Sequence, residues 1–388
     1  MKTKLSLSFE TLEKKIALSI SPVDIGISRL FNEEYKDSYI DRVEMIHLLQ
    51  ESRDDNTVTE IELKDLKDIV ENSVMPNYVR VLASDIVFGN LANNKYRGQP
   101  LGDLQVNSPA DKMTKLIDKW FYGGDLPNTE YEGKVYPYAE FRGNLFVNGP
   151  SYSDVRQGSI GDCGMIAAFG ALAFSSPEAI KNMFIDNMDN TWTVRFSSQQ
   201  TGLKDFVTVN RFLPIGTAYE TPRFASSPLP NGGWMRASNP QNELWVALAE
   251  KATVQWGEVR TSCIIGYSQK DFVNAYYIVR SFLEEKTMYN ILGYGYPVGV
   301  KFHKEYYKVT ATNEVYMQNL VKDKMACCFI YNGHCYSLVK YDSNTKLFTF
   351  WNPWGKNHLE VTWSKFVEMK PNKVLHVVDA KFTSPIKL

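Results

Sequence analysis

Apolar residues recur at three-residue steps early in the chain, with Ile40, Val43, Ile46 and Leu49 followed by Leu63, Leu66, Ile69 and Val70. This period predicts two amphipathic helices, over 39–49 and 61–70, flanking a polar loop. From about 80 to 140 the pattern loosens around turn residues such as Asn93-Asn94, Gly98, Pro100, Gly123-Gly124 and Pro127, with one clear helix near 110–121. Residues 163–174 then form an almost unbroken apolar, Ala-rich run that stops at Ser175-Ser176-Pro177, as a buried helix would. Strands are expected within 192–213 around the turn Gln199-Gln200-Thr201-Gly202, and a helix over 242–252, where Leu244, Leu248 and Ala252 share a face. Beyond about 259 a helix near 270–292 precedes short β-rich runs at 297–302, 326–331, 334–341, 346–351 and 373–382. The expected architecture is α+β. A helical region, 1–78, and a connector, 79–140, precede a helical half, 141–258, and a β-rich half, 259–388, that meet at a cleft.

The polar loop between the first two helices imitates a calcium loop. Counting Glu51 as position one, Asp55 falls at five, Val58 at eight and Glu62 at twelve, with Asn56 where the sharp turn wants glycine. Arg53 stands at position three, and a cation on a ligand position opposes calcium. A metal-free helix–loop–helix is the expectation.

Composition excludes more than it proposes. The 388 residues carry 43 basic and 44 acidic side chains, a net charge of −1, so no whole-molecule field points to nucleic acid or an anionic membrane. No apolar run approaches the roughly 18 residues of a membrane span, and no secretory signal is evident at the start. Five cysteines without C-x-x-C spacing indicate neither a disulfide framework nor a zinc site. Reduced thiols in the cytoplasm are the simplest reading.

Chemistry concentrates around Cys163. A Gly-rich approach, Gln157-Gly-Ser-Ile-Gly-Asp-Cys163, delivers the thiol to a helix head, where backbone N–H groups and the helix dipole favour thiolate. A nucleophilic Cys needs a base and a group that orients the base. His334 heads an alternating strand after Gly333, and Asn352 ends the next strand in Trp351-Asn352-Pro353-Trp354-Gly355. Adjacent strands can hold Asn352 against His334, fixing its tautomer without added charge while Trp354 keeps water away. The Gln157 amide, with the Cys163 N–H, can form an oxyanion hole. His47, His303, His358 and His376 lack such neighbours in sequence and are read as structural.

Gln157-Gly158 with Gly161-Asp162-Cys163, Glu243-Leu244-Trp245 with Glu250-Lys251-Ala252, Gly333-His334-Cys335-Tyr336-Ser337 and Asn352-Pro353-Trp354-Gly355 stand here in one order. In these four motifs, spread over about 141–388, the chain resembles the calpain-type members of the papain-like cysteine peptidases. The resemblance implies a two-lobed papain-like core acting on protein or peptide substrates. It implies Cys163 as nucleophile, His334 as general base and then acid, Asn352 as its orienter and Gln157 as oxyanion donor. It also implies a core calcium site formed by Val147, Gly149, Asp154 and Glu243. A second such site is not expected, because the acidic loop that the family carries after this Asn-Pro-Trp-Gly is nearly absent between Gly355 and Trp363. Calpains have a large aromatic residue after the nucleophile, and Gly164 stands there instead. A calpain-fold protein-binding scaffold with weak or no activity is therefore the alternative reading, and acyl transfer by the same residues a third.

Overall fold

The computed structural model describes residues 20–197, 204–216, 220–259, 274–281, 287–288, 291, 307–308, 313–369 and 374–378. The chain divides into two compact units, one of residues up to Asp125 with Phe206–Thr208, the other of Leu126–Asp205 and Val209 onward.

In the first unit α1 (Ile25–Glu34) and α2 (Arg42–Glu51) precede β1 (Thr57–Val58) and α3 (Glu60–Asn72). Both α2 and α3 open on capping boxes, Asp41 with Glu44 and Thr59 with Glu62, which satisfy amide hydrogens that a helix start leaves unpaired. Next come α4 (Asn77–Val87), the short ribbon β2 (Lys95–Tyr96) and β3 (Gln99–Pro100), then β4 (Ser108–Pro109) and α5 (Ala110–Phe121). The expected connector thus contains a second helix–loop–helix, α4 to α5. Its loop pairs with the first loop through Val58↔Ser108 and Thr57↔Pro109. Asn56 adopts the sharp-turn conformation that position six requires, with φ of 65°. Arg53 donates to Gln50 O and to Thr114 Oγ1, and buried Glu62 accepts the Thr59 N–H as a helix cap.

The second unit begins with β5 (Tyr138–Glu140). Then come α6 (Cys163–Ser175), α7 (Pro177–Lys181), β6 (Phe184–Asp186), β7 (Thr191–Ser197), β8 (Lys204–Asn210), whose middle residues Phe206–Thr208 count with the first unit, and β9 (Phe212–Pro214). β5 pairs with β9 and β6 with β7, both antiparallel. The helix expected over 242–252 is α8 (Trp245–Val259). It starts later because Glu243 and Leu244 lie extended beside Asn144, bonded backbone to backbone. Every described residue of α8 is buried, including Glu250 and Lys251.

The β-rich part comprises β10 (Tyr307–Lys308), α9 (Glu314–Lys322), β11 (Ala326–Tyr331), β12 (His334–Asp342), β13 (Leu347–Trp351), β14 (Leu359–Val361), α10 (Trp363–Glu368) and β15 (Val374–Val378). Its strands form one sheet in the order β10-β15-β11-β12-β13-β14 with antiparallel neighbours. Strand alternation separates two faces. Phe329, Leu338, Phe348 and Phe350 join Met317, Leu320 and Phe366 in one apolar core. Ser337, between Tyr336 and Leu338, points the other way and donates to Ala167 O of α6 at 2.7 Å. Gly170 permits this close packing, since a Cβ there would lie 3.0 Å from Ser337 Oγ. The helix expected near 270–292 is described in part, as a 3-10 turn over Tyr276–Ser281 and α-helical positions at 287–288 and 291, and the run 297–302 lies outside the described residues. The composition of helices and strands is α+β.

Candidate active site

Cys163 is the first residue of α6 and is half-buried. The thiol receives the N–H of Cys335 and of Gly164, yet burial pushes it above the usual range of a cysteine. Sequence led us to expect the opposite direction. A helix head lowers a thiol pKa only while the thiolate stays solvated, and here desolvation exceeds the two donors, with the nearby Asp162 charge adding to it. The Cys335 contact brings the thiol to the head of β12, next to His334.

Register accounts for the next contact. Ser337 pairs with Trp351, so His334 at the head of β12 faces the turn that follows β13. His334 Nε2 lies 2.9 Å from Asn352 Oδ1. Trp354 N–H, which can only donate, also points at Oδ1 from 2.9 Å and fixes the amide orientation. Nε2 therefore carries the hydrogen, and Nδ1 of the neutral ring is left as the acceptor. Asn352 is 2 % exposed. The Trp354 ring covers His334 at 4.5 Å between centroids, and Tyr336 flanks it edge-on at 5.0 Å.

His358, read from sequence as structural and without neighbours, belongs to this group. Its ring stacks on Trp351 at 3.6 Å, and its Nδ1 accepts the Asn352 backbone N–H at 3.2 Å. Burial lowers its pKa below 6.5, against the opposing pull of Glu360. The spacing Asn352 to His358 was the available signal. His47 pairs with Glu34 at 3.0 Å; His303 and the His376 side chain lie outside the described residues.

Gln157 reaches the same place by backbone, its N–H donating to Pro353 O at 2.7 Å. Its side chain is buried, with Nε2 donating to Ile160 O at 2.6 Å. That bond occupies one of two amide hydrogens. Gly158 packs against Phe224, where a Cβ would fall 2.2 Å from the carbonyl oxygen, so only glycine fits the turn that leads to Cys163.

Of Val147, Gly149, Asp154 and Glu243, the structure brings together Val147, Asp154 and Glu243, whereas a Cβ at Gly149 would meet the Lys181 side chain. Glu243 Oε1 accepts the Val147 N–H at 2.7 Å, while Asp154 Oδ2 accepts from Ser151 N–H at 2.6 Å and Trp245 Nε1 at 3.1 Å. Burial and the facing Asp154 charge push Glu243 up to about 8. Two carboxyl groups opposed in this way have the chemistry that a hard divalent cation takes, while Val147 meets Glu243 through its N–H. No group of three or more His, Cys, Asp or Glu side chains suited to a metal occurs among the described residues.

A profile of the calpain family cysteine protease matches residues 138–371, more than half of the chain. No curated protein matches it. No helix among the described residues is long and apolar enough to cross a membrane.

Proposed function

Because this chain belongs to the calpain family of cysteine proteases, we propose that it is an endopeptidase using Cys163, His334, Asn352 and Gln157. The observation that supports this best is the His334–Asn352 hydrogen bond, formed where the next residue, Cys335, donates its N–H to the Cys163 thiol. A thiol raised by burial needs a base, and the Nε2–H bond to Asn352 leaves His334 Nδ1 to take the proton. The thiolate attacks a peptide carbonyl carbon, forming a C–S bond and an oxyanion. The Gln157 amide and the Cys163 backbone N–H are the donors for that oxygen. Collapse breaks the C–N bond as the imidazolium returns its proton to the leaving amine, and water then releases the acyl group.

In the same reading Val147, Gly149, Asp154 and Glu243 hold one calcium ion, whose charge offsets the two facing carboxylates. A second reading, a scaffold with weak activity, draws support from Gly164 and the burial-raised thiol.

Labelling with an epoxide thiol inhibitor and cleavage of casein, with and without calcium, decide between them. Cys163 is expected to be the labelled site, Cys163→Ala to abolish turnover, and Asn352→Ala to lower kcat/KM by roughly 100-fold. Absence of both labelling and turnover in both conditions would leave the scaffold reading.

A further inference from the structure

Asp162 occupies the N-cap position of α6, where an aspartate ordinarily accepts amide hydrogens of the first turn. Here its side chain makes no such bond. It turns inward, 2 % exposed, and meets the carboxyl group of Glu250, 1 % exposed, from α8. Glu250 Oε2 accepts the Ala225 N–H at 3.0 Å. Glu250 Oε1 and both Asp162 oxygens lack a well-aligned N–H or hydroxyl donor among the described residues. The Gln157 amide donates to Ile160 O at 2.6 Å and also interacts with the Asp162 carboxyl group, favouring its ionised form but not enough to offset burial. Lys251 follows Glu250 in sequence, yet its ammonium points to Asn210 and Phe212.

Two buried carboxylates cannot touch with both charges present, whereas one proton between them forms a charge-assisted O–H···O bond. We propose that Asp162 and Glu250 share a proton and act as positioning residues for the nucleophile, a role that rests on reading Cys163 as that nucleophile. The pair joins three segments. Asp162 adjoins Cys163 at the helix head. Beside it is Gln157, the oxyanion candidate. Glu250 secures Ala225, whose neighbours Arg223, Phe224 and Ser226 hold the approach turn: Ser226 pairs with Arg156 through both backbone bonds, Arg223 O accepts the Ser159 N–H, and Phe224 packs on Gly158.

Burial raises both carboxyl groups, so the proton is retained where free carboxylates have lost theirs. The titratable groups facing the pair are Cys163 from α6 and Tyr276 from the 3-10 turn, itself raised by burial, by Tyr138 and by Glu250. Nearby cations face aromatic rings, Arg223 over Tyr136 and Arg156 over Trp234. Loss of the shared proton therefore places a second negative charge one residue from the thiol and breaks the bond that holds the helix head.

The test follows Cys163 itself, through the pH dependence of its alkylation by iodoacetamide, read by mass spectrometry on the full chain. Wild type should titrate broadly, because the thiol and the pair influence one another. Glu250→Gln keeps a donor to Asp162 but removes the second charge. It should give a single-site curve with its midpoint lower by about 0.5–1 pH unit, and kcat within about 3-fold of wild type. Glu250→Ala, which loses the bond, should lower kcat by about 30-fold with KM little changed. Superimposable alkylation curves for wild type and Glu250→Gln would overturn the proposal, whether or not Glu250→Ala folds. If the curves separate in a chain that cleaves nothing, the pair stands and the peptidase reading falls.

Discussion

At the scale of single residues, Asn352 is the most heavily constrained group of the candidate site. Its side-chain oxygen faces His334 and Trp354, its amide donates to Asn357 O, and its backbone N–H ends on His358. The last contact requires an unprotonated Nδ1 on His358, because an imidazolium would oppose one N–H with another. The folded chain therefore binds the His358 proton less tightly than the unfolded chain does, in keeping with the downward shift. Linkage gives the sign: this stabilisation is complete above the ordinary histidine value of 6.5 and is lost as pH falls through it toward the lower folded value. His358→Gln keeps an acceptor that does not titrate. Its Tm difference between pH 7.5 and pH 5 should be smaller than that of wild type by about 1–2 °C. An unchanged difference would show that the Asn352 bond does not depend on the protonation of His358.

At the scale of elements, the critical contact is the seating of α6 on β12, since Cys163 heads one and His334 the other. Ser337 joins them across 170 residues of sequence, and Gly170 leaves room for it. Ser337→Ala removes one buried hydrogen bond and should cost about 1 kcal/mol, a fall in Tm of about 2–4 °C in a unit of this size. Gly170→Ala crowds Ser337 Oγ, so it should be less harmful when Ser337 is already alanine. A double-mutant cycle is expected to give at least about 0.5 kcal/mol of coupling, and additive effects would mean that the hydroxyl does not set the spacing. This contact also separates what was legible in the sequence from what was not. Period-two alternation in 334–341 and 346–351 marked two strands because one face of each is apolar, and the nearness of His334 to Asn352 followed from their places at the strand ends. The helix α4 has apolar Val79, Leu82 and Ile86 at suitable steps, but the surrounding turn residues obscured it. The direction of the Cys163 shift and the meeting of Asp162 with Glu250 depend on burial and on contacts between distant segments, which local spacing does not encode. His358 differs: its partners Trp351 and Asn352 are close in sequence, so the spacing carried a signal, but the stacking that gives it a role does not follow from spacing alone.

At the scale of the whole molecule, with 43 basic and 44 acidic residues, cation binding depends on local arrangements of donors rather than on net charge. Two places have calcium-like spacing. In the loop from Glu51 to Glu62, the twelfth residue caps a helix and the third is an arginine bonded across to Thr114. Around Glu243 and Asp154, two carboxyl groups face one another, and Glu243 holds its proton up to about 8 as long as nothing offsets the charges. Calcium should therefore stabilise the full chain through the second place alone. At a free concentration about 100 times its Kd, the ion would add about 2.7 kcal/mol to a form that binds it exclusively. Glu243→Gln should abolish the rise in Tm and the heat of binding in calorimetric titration. Glu62→Gln should weaken the start of α3 but leave the calcium response intact. A response that survives Glu243→Gln and disappears in Glu62→Gln would reverse the assignment and make the first helix–loop–helix the sensor.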